Sequence, residues 1–259
     1  MTRTDVRSAW ALREAASGAV YATPEPEPEE ARIWFFTRLG GVSGTPYESL
    51  NVSTKVGDGE RSVSENLVRV REAMGGNDTA WVRQQAGDRT FRVESPGLAG
   101  EGDALVSSGA GFSLAVAVAD CVPVALVAPG EVGMVHSGWR GTLSGISGKA
   151  VAGLHSEPGR AAAYIGPCIR GCCYEVSEEI AGSFVERFGE DVADGRYLSL
   201  PRAIGRDLER AGVGEVHDLG LCTGCRPDLF YSHRKQKPVT GRNLAAVARA
   251  PKRQSQPEG

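Results

Sequence analysis

Three apolar runs follow one another between residues 111 and 138: GFSLAVAVAD, VPVALVAP and VGMVHSG. Each has the length of a strand and is apolar at consecutive positions, not alternate ones. A strand of that kind has no face to turn toward water, so both of its sides must be covered. Pro129-Gly130 supplies a turn between the second and third runs. A chain of 259 residues is long enough to build the layers that such strands demand.

Strand and helix patterns alternate around this centre. ARIWFFT, WVRQQ, TFRVE, DALVSS, AAAYIGP and EVHDLGLC read as strands. SVSENLVRVREAMGG reads as a helix with Val63, Leu67, Val70 and Met74 on its apolar stripe and Gly75-Gly76 at its end. GTLSGISGKAVAGLHSE reads as a second helix. YEVSEEIAGSFVERFGE reads as a third, capped by Ser177 and burying Ile180, Phe184 and Phe188. LPRAIGRDLERAGV is a fourth, with Pro201 at its start and Ile204 and Leu208 inward. FYSHR and NLAAVARA carry no decisive pattern. The expected class is α/β with α+β mixing, a single domain whose mixed sheets are covered by helices. Residues 1–31 contain the acidic, proline-rich TPEPEPEE and are expected to be a flexible extension. The domain is expected over 32–249 and a disordered tail over 250–259.

The net charge of −3 leaves no electrostatic footprint for nucleic acid. No apolar run approaches the ~20 residues that span a bilayer. The first residues lack the apolar core of a signal peptide and include Asp5 and Glu14, so a cytoplasmic location is expected. In that compartment the six cysteines are expected to be reduced. Cys222-Thr-Gly-Cys225 has C-x-x-C spacing, which makes a four-cysteine zinc site conceivable. The expectation is nonetheless that Cys168, Cys172, Cys173, Cys222 and Cys225 are small packing residues that form no tetrahedral site.

The apolar runs also end on chemistry. Asp120 and Cys121 close the first, and His136 closes the third. Strand ends beside glycine loops are where α/β proteins place ligands. A converging cysteine and histidine can hold a metal, form a thiolate–imidazole pair, or simply pack. Arg38 and Arg140 lie on glycine-containing loops, where a guanidinium can grip phosphate or form a surface ion pair. Asn51, Asp58 and Asn66 flank the first of these loops and are expected to order it through hydrogen bonds to backbone.

Eight segments occur in a familiar order: TRLGGVSGTPYESLN, VGD, DALVSS, ADCVPV, HSGWRG, IGPCIRGCCYEV, CTGC and FYSHRKQKPVTGRN. In these the chain resembles the multicopper-oxidase-like laccase-domain family, also described as the YfiH-like or purine nucleoside phosphorylase family. The resemblance spans residues 33 to 248, nearly all of the expected domain. It implies phosphorolysis of adenosine, inosine, guanosine and methylthioadenosine, and deamination of adenosine. It also implies one zinc held by two histidines and a cysteine, of which Cys121 and His136 match two. Some members are read as copper-linked polyphenol oxidases and others as amidases on peptidoglycan precursors.

The third zinc ligand implied by the resemblance belongs to a Q-x-H-G segment. Here that segment reads Gln84-Gln85-Ala86-Gly87, and alanine offers no lone pair. The implied zinc, or copper, site is weakened by one donor unless another group, such as His233, replaces it. The expected function is a purine nucleoside phosphorylase with adenosine deaminase activity, taking a purine nucleoside and phosphate. Its expected site residues are Cys121, His136, Arg38, Arg140 and Asp120. The alternatives are a Cys–His amidohydrolase, by analogy with a toxin deamidase of similar fold, and a binding protein without catalysis.

Overall fold

The structure is a computed structural model that describes residues 6–7, 9–236 and 239–250. Two seven-stranded mixed sheets dominate it. The first runs in the order β1 (Val6–Arg7), β15 (Glu215–Asp218), β12 (Ala162–Ile165), β10 (Val122–Ala128), β11 (Glu131–Ser137), β8 (Ala104–Ser107), β6 (Thr90–Arg92). The second runs β2 (Ala9–Glu14), β3 (Val20–Glu25), β4 (Ala31–Phe36), β16 (Asn243–Arg249), β9 (Phe112–Val118), β5 (Asp78–Arg83), β7 (Gly97–Glu101). A short ribbon joins β13 (Ala193–Asp194) to β14 (Tyr197–Leu198).

The apolar runs explain the layering. Leu114, Val116 and Val118 of β9 meet Ala125 and Val127 of β10 and Met134 of β11 in a core between the two sheets. Val122, Val124 and Leu126, on the other side of β10, pack beneath helices α2 (Trp139–Leu143), α3 (Ile146–Ala152), α4 (Glu178–Phe188) and α5 (Leu200–Arg210). On the far face of the second sheet, Ala115 joins Trp34 and Phe36 under Val70 of α1 (Glu60–Ala73) and Met74. Every apolar run is therefore covered twice, once by the opposing sheet and once by helix. This is the mixed α/β domain that the patterning demands.

Several details differ from expectation. Residues 9–25 are not a flexible extension: β2 and β3 form an antiparallel hairpin on the edge of the second sheet, and β3 pairs with β4. The expected tail lies, from residue 251 on, outside the described residues, while Ala250 donates its N–H to Glu30 O at 2.8 Å. GTLSGISGKAVAGLHSE is two helices, broken at Gly145, whose φ of 74° suits glycine. NLAAVARA is β16, hydrogen-bonded to β4 on one side and β9 on the other. FYSHR leads into the single turn α6 (His233–Gln236). Ser177 caps α4 as expected, its Oγ accepting from the Ile180 N–H. Among the described residues, no helix is long and apolar enough to cross a membrane.

Candidate functional site

Residues 119–121 carry the chain from β9 in the second sheet to β10 in the first. Cys121 therefore sits where the two sheets meet. His136 lies opposite Pro123 in the β10–β11 register, one step from the end of its strand. The register brings cysteine and histidine together. The imidazole is buried, with Nδ1 2.7 Å from Oδ1 of Asp103. Nε2 is then the nitrogen left for Cys121 and for a substrate. Gly138 lets the thiol come close, since a Cβ there would lie 3.2 Å from Cys121 Sγ.

Asp103 is fully buried and is held by backbone from the opposite side. Its carboxylate accepts the N–H groups of Gln85, Ala86 and Gly87 at 3.2, 2.9 and 2.8 Å. Burial alone would raise its pKa, but the hydrogen bonds from His136 and Gly87 prevail and hold it below the usual carboxylate range. For His136, burial disfavours the cation. The charge on Cys121 and hydrogen bonds to Asp103 and Cys121 outweigh that cost and push the pKa up to about 9. The three side chains form a line, carboxylate to imidazole to sulfur, in which the imidazole keeps its proton near neutral pH.

Ala86 occupies the position where the resemblance asks for a third metal donor. Its φ of 56° turns the loop so that three successive N–H groups reach Asp103. The methyl group offers nothing to a metal. Among the described residues, Cys121 and His136 belong to no group of three or more histidine, cysteine or carboxylate atoms placed to hold a metal, and the neighbouring Asp103 carboxylate is engaged with Nδ1 of the imidazole. His233 is exposed, and it is the backbone N–H of its neighbour Arg234 that points inward. A three-ligand zinc or copper centre does not fit these residues.

The other expected site residues divide. Asp120 is buried at a φ of 84°, and both of its carboxylate oxygens are occupied. Oδ1 accepts from Thr223 Oγ1 and Oδ2 from the Arg234 N–H, each at 2.6 Å. It holds the loops around Cys121 in place. Arg38 is also spoken for: it donates to the carbonyls of Glu48 at 2.6 Å and Pro227 at 3.0 Å and lies over the Tyr231 ring. It latches loops together and does not present a free cation. Arg140 is exposed at the start of α2, stacked on Trp139 at 4.5 Å. Asp103, Arg242 and Tyr174 also lie around the Cys121–His136 pair, and no sequence pattern singles them out. Arg242 lies near enough for the charges of Cys121 and Asp120 to act against the lowering of its pKa by burial. Burial, with the charge of Cys121, pushes the Tyr174 phenol up to about 12. DALVSS and TGRN contain the first two of these residues, and their motifs were the available signal.

The cysteines also depart from expectation. Cys168 is buried, as packing predicts, but Cys172 and Cys225 are exposed. Cys172, Cys173, Cys222 and Cys225 converge, with all four sulfurs within 4.8 Å of one another.

The multi-copper polyphenol oxidoreductase laccase family matches residues 32–250. A purine nucleoside phosphorylase of Deinococcus radiodurans is 40% identical over 86% of this chain and 90% of its own length. Purine nucleoside phosphorylase YlmD of Geobacillus stearothermophilus is 34% identical, over 82% of this chain and 88% of its own. The crystal structure of the Geobacillus YlmD superposes with a TM-score of 0.82 at 31% identity, covering 94% of this chain and 100% of that one. The YfiH protein of Bacillus licheniformis gives 0.81 at 28% identity, over 92% and 98%. With its motifs in order, its two-sheet architecture shared and its whole domain matched, the chain belongs to the multi-copper polyphenol oxidoreductase laccase family.

Proposed function

We propose that the protein is a purine nucleoside phosphorylase that works through Asp103, His136 and Cys121 without a metal at that pair. The observation that carries this reading is the Asp103–His136–Cys121 line, its carboxylate and imidazole buried, in a family whose relatives bear the phosphorylase name. Phosphate attacks C1′ of the ribose, and the C1′–N9 bond breaks with its electron pair passing to the purine. His136 gives its proton to the departing base, and Asp103 holds the imidazole in the orientation that allows this. Arg140 and Arg242 supply positive charge for the phosphate. The products are the free purine and ribose 1-phosphate. Deamination of adenosine, in which water adds at C6 of the purine and the amino group leaves as ammonia, belongs to the same proposal.

The same line also favours a second reading. Thiol, imidazole and orienting carboxylate are the parts of a cysteine amidohydrolase, in which Sγ attacks an amide carbonyl, His136 protonates the leaving amine, and water then hydrolyses the thioester to the acid and the free thiol. One experiment separates them. Purified protein is given inosine with and without phosphate, and hypoxanthine and ribose 1-phosphate are measured. Phosphate-dependent release of both, lost in His136→Ala, supports the phosphorylase. No release, with fast alkylation of Cys121 that an amide substrate slows, supports the amidohydrolase.

A further inference from the structure

We propose that Cys172, Cys173, Cys222 and Cys225 bind one zinc ion as a tetrathiolate site, separate from Cys121 and His136, which staples two loops behind the candidate active site. The sulfurs of Cys172 and Cys222 are 3.6 Å apart, and those of Cys172–Cys225 and Cys173–Cys225 are 3.5 Å apart. A tetrahedron with Zn–S bonds of ~2.3 Å has sulfur–sulfur edges of about 3.8 Å. All four sulfurs already lie within 4.8 Å of one another, so closing on a metal takes small side-chain adjustments and no backbone rearrangement. A covalent S–S bond is only about 2.0 Å long, so these are four separate thiols.

The backbone is arranged for the same purpose. The two loops run side by side, with Cys168 N–H donating to Leu221 O at 3.2 Å and Thr223 N–H to Cys168 O at 3.0 Å. Cys222-Thr-Gly-Cys225 then turns, with the Arg226 N–H donating to Cys222 O at 3.1 Å. Gly224 makes the approach possible, because a Cβ at that position would lie 2.9 Å from Cys173 Cβ and 3.1 Å from its sulfur. A tetrahedral set of four sulfurs selects zinc among common divalent ions.

The staple connects to the candidate site through Asp120. Ile169 N–H donates to Asp120 O at 2.9 Å, and Thr223 Oγ1 donates to its carboxylate. Each stapled loop thus holds the residue beside Cys121. The ion's role is structural: all four positions are filled by protein, which leaves none open for substrate.

The test is a metal count on the full chain purified without chelator. One zinc per chain is expected. It should be retained in a Cys121→Ala/His136→Ala double variant and lost in Cys173→Ser and in Cys225→Ser. Titrating the wild type with p-hydroxymercuribenzoate should release the zinc as four thiols react, a readout that needs no variant to fold. Cobalt substitution should give the intense thiolate-to-metal absorption of a four-sulfur tetrahedral centre. Four freely reactive thiols with no metal, a disulfide among the four, or zinc lost with Cys121 and His136 would each overturn the proposal. None of these readouts depends on phosphorolysis, so a chain that binds zinc here and fails with inosine refutes only the functional reading.

Discussion

Asp103 decides what His136 can do. Burial alone would make its charge costly in lost solvation. The charge on Cys121, together with Asp103, which three backbone N–H groups of the 85–87 loop hold in place, makes the imidazolium the stable form up to about pH 9. If that proton goes to the purine, kcat/KM for inosine stays level between about pH 7 and 8 and falls as pH rises through about 9, because the acid is then lost. Asp103→Asn removes the negative partner, so the falling limb should move to lower pH and the rate at pH 7.5 should drop on the order of 100-fold. A limb that stays in place in Asp103→Asn would show that His136 is not the acid. Ala86 is the second informative residue. Its left-handed φ of 56° is a conformation that histidine adopts more readily than most side chains. Ala86→His adds a third donor beside Cys121 and His136, and zinc binding at that pair should rise from undetectable to measurable by competition with a chelator dye. An unchanged zinc count in this variant would mean that the new ring does not face the pair.

Single elements show which parts of a pattern carry information. The helix stripe Val63, Leu67, Val70, Met74 locates α1 but misplaces one contact: Leu67 is exposed, and Asn66 beside it is fully buried. Asn66 donates to Ser43 Oγ, Ser49 O and Asn51 O and accepts from Val42 N–H at 2.9 Å. Asn51 in turn donates to Asp58 at 2.8 Å and accepts from Arg242 N–H at 2.9 Å. The loop between β4 and α1 is thus ordered by the three polar residues that the sequence singled out, and α1 is tied through Asn51 to the start of β16. Asn66→Ala strands several buried partners at once and should cost about 2–4 kcal/mol in urea unfolding. Leu67→Ala, on the same helix, should cost less than about 1 kcal/mol. Equal effects would mean that burial, not the polar network, holds the loop. The hairpin β2–β3 was hidden for a different reason. Pro24 and its acidic neighbours read as an extended linker, yet Pro24 pairs only with Trp10 of the edge strand β2. Tyr21 and Ala22 make the pairing with β4, so the missing N–H of Pro24 interrupts no central ladder.

Across the whole molecule, local patterns fix the layers and leave unresolved what meets between them. Runs such as LAVAVA announce two covered faces, but not that one cover is a second sheet. Cys121 and His136 were legible because each ends an apolar strand. Asp103, 33 positions from His136, and the Cys172–Cys222 approach, 50 positions apart, depend on how the sheets assemble. Asp120 is where that assembly can be tested. It stands at the crossover between the sheets, in a left-handed conformation, and binds the 219–226 loop through Thr223, the 165–175 loop through Ile169 and the start of α6 through Arg234. Asn tolerates that backbone, keeps one acceptor for the Arg234 N–H and can donate its NH2 to the Thr223 oxygen. Asp120→Asn should therefore cost only about 1 kcal/mol and keep most of the phosphorolysis rate. Asp120→Ala loses both side-chain bonds and adds left-handed strain, so about 2–4 kcal/mol of stability should go, with KM rising as the loops around Cys121 loosen. A residue that moved protons would give the opposite ranking, with Asp120→Asn folding normally and losing nearly all of kcat; thermal melts and inosine kinetics on the two variants distinguish the cases.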